Sequence, residues 1–262
     1  MRIGFDVMGG DFAPEAMIEG AVDSISYFGP DEKLVLIGDK REILKKLEEM
    51  NTAPDLFEIV HSSQVIEMGD HPAKAFSQKR DSSIAIGYEM LKQGLLDGFC
   101  SAGNTGAMLV GASYTVNVIP GVFRPALATI LPCIDGRDSV ILDVGLNPDC
   151  KPDVLLQYGI LGSIYARFVL GKNNPTVGLL NIGIEETKGT PAIKAAYELM
   201  KDYPGLNFSG NVEGNTLFHE SVTDVLVCDG FVGNIILKQA EAFFSISEKL
   251  KISHPFIDRM KI

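Results

Sequence analysis

SAGNTG, residues 101–106, joins an apolar run that ends at Cys100 to a helical pattern that begins at Ala107. Its two glycines would let a ligand approach the backbone closely. The N–H groups that open the following helix have no partner within it and can point at phosphate oxygens. The stretch is equally consistent with an ordinary turn in which Asn104 or Thr105 caps the helix. The sequence on either side has to separate these two interpretations.

Strand patterns alternate with helical patterns on both sides of this stretch. Strands are predicted for RIGFDV, KLVLIG, FEIVH, DGFC, TVGLLNI, LNFSGNV and DVLVC, and helices for residues 15–27, 39–50, 82–93, 154–170 and 192–201. Two further strands, ALATILPCI and SVILDVG, flank Asp135-Gly136, a dipeptide typical of tight hairpin turns. The order predicts an α/β fold: a doubly wound, mostly parallel sheet with helices on both faces, Rossmann-like and three-layered, with one antiparallel hairpin.

Polar, glycine-rich segments follow the predicted strands. Ligands of a doubly wound sheet bind outside the carboxyl ends of its strands. Six segments occupy such positions: MGGD, SAGNTG, DVGLN, NIGIEETKG, GNVEGN and DGFVGN. Because they carry Asp, Asn, Glu and Lys, we expect them to converge into one polar crevice that accepts an anion. This expectation favours a phosphate site at residues 101–106.

Composition excludes several classes of function. The 262 residues are 46% hydrophobic, which is enough for a substantial core, and the net charge of −11 argues against a nucleic-acid surface. The four cysteines and four histidines show no disulfide framework and no metal spacing. Neither a signal sequence nor an apolar run long enough to span a bilayer is present. We therefore expect a cytoplasmic protein without a metal ion.

The usual nucleotide and hydrolase motifs are missing. No Walker sequence and no GxGxxG after a strand occur. Phe99 stands where a nucleophile elbow around Ser101 would need its first glycine. Cys100 has no nearby base in any motif, so we expect a buried structural cysteine. Asp6 and Asp11, on either side of one turn, are weak evidence for a metal site.

Nine motifs occur in a fixed order between Met1 and about Ala240: VMGGDFAPE, DSS, SAGNTG, RPALATILP, LDVG, DCKP, LLNIG, GNVEG and CDGFVGN. This series resembles the PlsX family of acyl-ACP:phosphate acyltransferases. The resemblance implies that phosphate attacks the thioester of a long-chain acyl group on acyl carrier protein, giving acyl phosphate for phospholipid synthesis. It implies no metal and no organic cofactor. Two alternatives stay open: a phosphate acetyltransferase-like enzyme using coenzyme A, and a non-catalytic fragment that binds acyl carrier protein.

The resemblance implies catalytic roles for Lys188, Asp229 and Asn234. Because phosphate is ionised and a thiolate leaves readily, positioning of two anions should matter more than acid or base catalysis. Lys188 would attract phosphate or stabilise the oxyanion, Asn234 would donate a hydrogen bond, and Asp229 would orient Lys188 or accept a phosphate proton. Each also has a structural interpretation, as a solvated lysine, a helix cap and a turn residue respectively. Residues predicted to bind phosphate or substrate are Ser101, Gly103, Asn104, Thr105, Gly106, Asn181 and Gly233.

Two basic segments are candidates for partner contacts. Lys74, Lys79 and Arg80 form the densest basic group of the first half, and we expect them to contact acyl carrier protein, although a solvated helix end explains them equally well. Residues 243–262 carry four basic and two acidic side chains among Phe, Leu and Ile. Their pattern suits an amphipathic helix on a membrane surface or in a dimer, or one packed on the body.

The resemblance favours a membrane surface or a dimer contact for residues 243–262, and implies a homodimer with peripheral membrane contact. We therefore predict an acyltransferase core over residues 1–240 and the start of a protruding amphipathic helical segment over residues 241–262. Members of the resembled family continue for several dozen residues beyond Ile262, so the chain resembles a shortened member.

Overall fold

The computed structural model describes residues 1–219 and 223–260. The chain divides into two compact units, Met1–Pro120 and Gly121–Ile262. Each unit contains its own sheet, of four strands in the first and five in the second. The predicted mostly parallel α/β class is confirmed, with the strands distributed over two sheets.

The first unit is entirely parallel. Its elements are β1 (Arg2–Asp6), α1 (Glu15–Ser24), β2 (Lys33–Gly38), α2 (Lys40–Glu49), β3 (Glu58–His61), α3 (Pro72–Gln78), α4 (Ser83–Lys92), β4 (Gly98–Cys100) and α5 (Thr105–Gly111). The strand order is β3-β2-β1-β4, and every pair in it is parallel. Of these elements, the sequence patterns did not predict α3, a short helix that begins at a proline.

Strand β2 shows why helices cover both faces of the first sheet. Leu34 and Leu36 belong to a buried cluster with residues of α1 and α2. Val35 and Ile37 belong to a second cluster that includes residues of α4. Because successive side chains of a strand point to opposite faces, the continuous apolar run is explained by burial on both sides.

The second unit contains the predicted hairpin. Its elements are β5 (Ala128–Pro132), β6 (Asp138–Leu142), α6 (Pro152–Phe168), β7 (Thr176–Asn181), α7 (Pro191–Lys201), β8 (Asn207–Glu213), β9 (Val225–Val227), α8 (Gly230–Lys249) and α9 (Pro255–Arg259). The order is β5-β6-β9-β7-β8, and β5 and β6 are antiparallel. Gly136 turns the hairpin with a φ of +86°, a conformation that suits glycine.

The parallel strands of this unit place four of the polar segments at one edge. β9 lies between β6 and β7, and β8 pairs with β7. The carboxyl ends of β6, β9, β7 and β8 therefore lie side by side. These strands end at Leu142, Asn181, Glu213 and Val227, so the predicted segments DVGLN, NIGIEETKG, GNVEGN and DGFVGN lie at or just beyond this edge.

The C-terminal segment is helical, but its helix begins well before residue 243. α8 runs without a break from Gly230 to Lys249, so the predicted boundary at residue 241 falls inside it. α9 packs against the hairpin, where Arg259 donates hydrogen bonds to the Cys133 and Arg137 carbonyls and pairs with Asp138. Residues 261–262 of the predicted segment lie outside the described residues. Within the described part of the chain, no helix combines the length and apolarity needed to cross a membrane.

Candidate active site

A cavity of about 610 Å³ lies at the carboxyl ends of β7, β8 and β9. Most of its lining is apolar and comes from Leu180, Ile182, Ile193, Cys228, Val232 and Ile236. Polar lining comes from Asn181, Thr190 and Asp229. Its position is the one where open α/β sheets bind ligands, and its mixture of apolar walls and few polar groups is typical of a small-molecule site.

Asp229 lines this cavity and also caps α8. Its side chain accepts a hydrogen bond of 2.8 Å from the Val232 N–H. A carboxylate in this position satisfies one of the free donors at the helix start and interacts favourably with the helix dipole. The structural interpretation of Asp229 is therefore realised, and the same carboxylate borders the cavity.

The start of α8 packs directly on the DVGLN segment. A Cβ added to Gly233 would lie 1.9 Å from the Asp143 carbonyl oxygen. The Gly230 N–H donates to the Asn147 carbonyl at 2.8 Å. Asn234 is exposed, and its Oδ1 lies 3.4 Å from the position of a Cβ on Gly145. Two predicted segments therefore meet, and Gly233 acts through close backbone contact.

Asp143 holds this segment in place, a role that the sequence patterns did not assign. The carboxylate is fully buried. Its Oδ1 accepts hydrogen bonds from the backbone N–H groups of Leu127, Gly145 and Leu146 at 3.1–3.2 Å. Its Oδ2 accepts from the Asn147 backbone N–H at 2.7 Å and from Asn147 Nδ2 at 3.0 Å. The available signal was an acidic residue directly after an apolar strand.

Tyr158 completes the buried network behind this loop. Asn147 Nδ2 also donates a hydrogen bond of 2.7 Å to the Tyr158 hydroxyl. Burial raises the pKa of Tyr158, so the phenol is neutral at physiological pH. The network therefore holds the loop from α6 without adding a second negative charge beside Asp143.

Lys188 lies in the loop between β7 and α7 with its main chain fixed. Its N–H donates to the Glu185 carbonyl at 3.1 Å, and Asn181 Nδ2 donates to the Lys188 carbonyl at 3.2 Å. The side chain is exposed and forms no ion pair with any residue in the described ranges. The next two residues, Gly189 and Thr190, line the cavity. Lys188 is thus an exposed cation in a loop whose next two residues line the cavity.

SAGNTG and MGGD meet in the first unit. The Ser101 hydroxyl donates to Asp6 Oδ2 at 2.6 Å and accepts from the Gly103 N–H at 2.9 Å. A Cβ added to Gly9 would lie 2.7 Å from the Gly103 nitrogen. Asp6 is fully buried and also accepts from the Met8 N–H. In this arrangement Ser101 is a turn residue held by a buried carboxylate.

Asn104 caps α5, as the second interpretation of the stretch predicts. Its Oδ1 accepts a hydrogen bond of 3.0 Å from the Ala107 N–H. Its Nδ2 lies 3.1 Å from each of the Glu67, Met68 and Asp70 carbonyl oxygens. The amide is thus already bonded to protein at both ends. Thr105 and Gly106 form the first turn of α5.

The basic group near α3 is only partly free. Lys79 is half-buried, donates to the Val65 carbonyl at 2.7 Å and pairs with Asp70 at 2.6 Å. The hydrogen bond from Lys79 lowers the pKa of Asp70. Lys74 and Arg80 are exposed. Two of the three predicted carrier contacts therefore present their charge to solvent.

The cysteines differ from expectation at one position. All four are free thiols, and burial raises the pKa of Cys133, Cys150 and Cys228. Cys100 is exposed, which corrects the expectation of a buried cysteine. It ends β4, which is an edge strand of the first sheet. Within residues 1–219 and 223–260, no three acidic, histidine or cysteine side chains converge as metal ligands.

The predicted site residues fall in two groups. In the second unit, Asn181 and Asp229 line the cavity, Lys188 lies on the loop after β7, and Gly233 and Asn234 lie in the first turns of α8. The first unit contains Ser101, Gly103, Asn104, Thr105 and Gly106, together with the basic group near α3. Convergence of all six polar segments into one crevice stays a prediction.

Comparison with known proteins finds one matching family model and several closely similar sequences. The family model described as "Fatty acid synthesis protein" matches residues 1–254. The phosphate acyltransferase of Caldicellulosiruptor bescii is 47% identical over 250 residues, which cover 94% of this chain and 74% of that protein. The phosphate acyltransferase of Desulfitobacterium hafniense is 45% identical over 255 residues, covering 95% and 75%.

Solved structures show the same fold in more distant proteins. EutD phosphotransacetylase from Staphylococcus aureus superposes with a TM-score of 0.67 at 16% identity, covering 94% of this chain and 82% of that one. A phosphotransacetylase from Streptococcus pyogenes gives a TM-score of 0.67 at 17% identity, covering 93% and 82%. At these identities the likeness concerns the fold alone.

Proposed function

We propose that this chain, which belongs to the fatty acid synthesis protein family with the phosphate acyltransferases named above, transfers a long-chain acyl group from acyl carrier protein to inorganic phosphate. A phosphate oxygen attacks the thioester carbonyl carbon and forms a C–O bond. The C–S bond then breaks, and the sulfur leaves as a thiolate that takes up a proton. The products are acyl phosphate and the free carrier thiol.

The cavity of the second unit is the observation that carries this proposal. Its apolar walls suit an alkyl chain, and each methylene removed from water contributes about 0.8 kcal/mol. Its polar residues lie at the end of β7 and on the loops that follow β7 and β9. A thioester held there would have its alkyl chain against the apolar walls and its carbonyl near the polar segments.

Lys188 supplies the positive charge that the reaction needs. Phosphate and the developing oxyanion are both negative, and a preplaced cation stabilises them without reorganisation. Lys188 is close to the cavity wall in sequence and carries no competing ion pair within the described residues. Asn234 donates a hydrogen bond to phosphate or oxyanion, and Asp229 orients Lys188 or accepts a proton from phosphate. The residues proposed to bind phosphate or substrate remain Ser101, Gly103, Asn104, Thr105, Gly106, Asn181 and Gly233.

Partner contacts extend the same proposal. The exposed Lys74 and Arg80 contact the acidic carrier protein or its phosphopantetheine arm. The enzyme works as a cytoplasmic homodimer that touches the membrane peripherally through residues 243–262. Support for this comes from Phe243 and Ile246 on α8 and from Leu250 at its C-terminal end, which are 55%, 50% and 65% exposed. Exposed apolar side chains at helical spacing suit a lipid surface or a second copy of the helix.

The direct test incubates the protein with long-chain acyl carrier protein, with and without phosphate, and measures free thiol and acyl phosphate. We expect thiol release that depends on phosphate and equals the acyl phosphate formed. Thiol release at a rate that does not depend on phosphate would contradict the proposal. A preference for acetyl coenzyme A would favour phosphotransacetylase activity, and carrier binding without turnover would favour a binding role.

A further inference from the structure

The loop that carries Lys188 also carries two carboxylates that are natural partners for it. Glu185 and Glu186 lie three and two residues before Lys188 in the segment EETKG. An exposed lysine usually gains a little free energy by pairing with such a neighbour. Yet Lys188 pairs with neither of them. The structure shows where one of the two carboxylates is held instead.

Glu186 is held by two side chains of α7. Its Oε1 accepts a hydrogen bond of 3.0 Å from the Tyr197 hydroxyl and forms an ion pair of 3.0 Å with Lys201 Nζ. Lys201 Nζ also lies 5.8 Å from the centre of the Tyr197 ring, within cation–π range. The hydrogen bond from Lys201, followed by that from Tyr197, lowers the pKa of Glu186. The carboxylate is therefore charged and already compensated.

The main chain of the loop is tied down independently. Asn211 on β8 is buried and donates a hydrogen bond of 2.9 Å to the Glu185 carbonyl. Asn181 at the end of β7 donates to the Lys188 carbonyl. These bonds fix the backbone on both sides of Glu186, so the direction of its side chain is decided by α7. Loss of the α7 partners would free the carboxylate within the same loop.

We propose that Lys201 and Tyr197 are positioning residues that hold Glu186 against α7 and so keep the Lys188 ammonium available to an anionic substrate. They act through Lys188 and touch no substrate themselves. The proposal rests on the proposed function only in taking phosphate as that substrate. It assigns a specific use to the second glutamate of EETKG, which otherwise would weaken the neighbouring cation.

Lys201→Met removes the charge that holds Glu186 while keeping a long side chain. The released carboxylate then competes for Lys188, and we expect the KM for phosphate to rise about threefold to fivefold, in line with one exposed ion pair. The kcat should change little. The double variant Lys201→Met/Glu186→Gln should return the KM to the wild-type value, because the carboxylate that Lys201→Met releases is gone and Glu185 is unchanged from the wild type.

Lys194→Met is the matched control. Lys194 lies on the same helix, is exposed and forms no ion pair with the described residues, so its removal changes the net charge equally. Its KM for phosphate should match that of the wild type. An equal rise in both lysine variants, or a rise that Glu186→Gln does not reverse, would overturn the proposal.

A second readout separates this proposal from the proposed function. The reaction of Lys188 with an amine-directed acylating reagent is followed by mass spectrometry in the absence of any substrate. We expect slower labelling of Lys188 in Lys201→Met and recovery in the double variant. Unchanged labelling contradicts the positioning role, whatever the enzyme's activity. If Lys188 labelling slows in Lys201→Met and recovers in the double variant, but the protein shows no phosphate-dependent turnover, only the proposed function is rejected.

Discussion

Lys188 combines a fixed backbone with a side chain that forms no ion pair with the described residues. The Asn181 side chain donates to its carbonyl, and its N–H donates to the Glu185 main-chain carbonyl. The Glu186 carboxylate pairs with Lys201. Such an arrangement stabilises a charge that develops during the reaction more effectively than a lysine that must first leave a partner. The individual residue therefore supports a catalytic role more strongly than its exposure alone suggests.

Lys188→Ala should lower kcat/KM by about 100-fold, because a preplaced electrostatic group contributes several kcal/mol to the transition state. Its urea midpoint should stay close to that of the wild type, since the side chain is exposed. Steady-state kinetics and urea unfolding measure the two effects. The control is Lys194→Ala, which should retain full activity, and an unchanged rate in Lys188→Ala would remove this lysine from the mechanism.

Gly233→Ala should destabilise the protein by about 1–3 kcal/mol, because the added methyl overlaps a backbone carbonyl that cannot move freely. The clash is with Asp143, at 1.9 Å from the new carbon. Denaturant unfolding gives the free-energy change. Gly20→Ala is the comparison, since a Cβ there meets no atom within 4 Å and should preserve or increase stability. Equal stability of both variants would contradict the observed packing.

At the scale of elements, most strands and helices follow from local patterns, whereas their long-range contacts do not. The hairpin at Asp135-Gly136 and the helix N-cap at Ser82 are local features of the chain. Asp143 and Glu186 are different, because their partners depend on how loops and helices pack. Lys201 lies fifteen residues from Glu186, so no motif spacing connects them. The sequence predicts candidate site residues, but the contacts that support those residues could not be predicted from it.

SAGNTG illustrates the limit of a motif. Its glycines and small polar residues favour both a phosphate cradle and a capped turn, and the choice depends on the partners of Asn104. Its side-chain oxygen accepts a hydrogen bond from α5, and its side-chain nitrogen donates to three carbonyls of the loop before α3. Those three carbonyls lie more than thirty residues away in sequence, so no local pattern could predict them.

Helix α8 gives a direct test of the cavity as the acyl site. Val232 lines the cavity in the first turn of the helix, whereas Ile235 does not line it and is 51% exposed. Val232→Trp should raise the KM for palmitoyl carrier protein more than that for butyryl carrier protein, because the bulky ring occupies space needed by the longer chain. Ile235→Trp should change neither value. Equal effects on both chain lengths would place the alkyl chain elsewhere.

The basic residues around α3 have two different roles: two are exposed to solvent, and one forms a structural ion pair. Lys74→Met and Arg80→Met should weaken carrier binding, measured by calorimetry, because both side chains face solvent. Lys79→Met should instead lower stability, since it breaks the ion pair with Asp70. The pKa of Asp70 is lowered, so the ion pair adds to the free energy of unfolding at neutral pH. That stabilisation is lost as the pH falls through the pKa of Asp70 in the folded protein. Unchanged carrier affinity in the first two variants would reject the predicted contact.

At the scale of the whole molecule, the strand tips are divided between two units, and the second contains the cavity together with the three residues assigned to catalysis. The division itself could not be predicted, because alternating strands and helices fit one large sheet as well as two smaller ones. Family membership adds the reaction class that geometry alone leaves open.

The decisive measurement follows the oxygen atoms of phosphate. Isotopically labelled phosphate is incubated with the protein and a long-chain acyl carrier protein, and the products are analysed by mass spectrometry. Attack by phosphate on the thioester predicts acyl phosphate that retains every labelled oxygen, formed in equal amount with free carrier thiol. Free fatty acid without labelled acyl phosphate, at a rate independent of phosphate, would contradict the proposed acyl transfer.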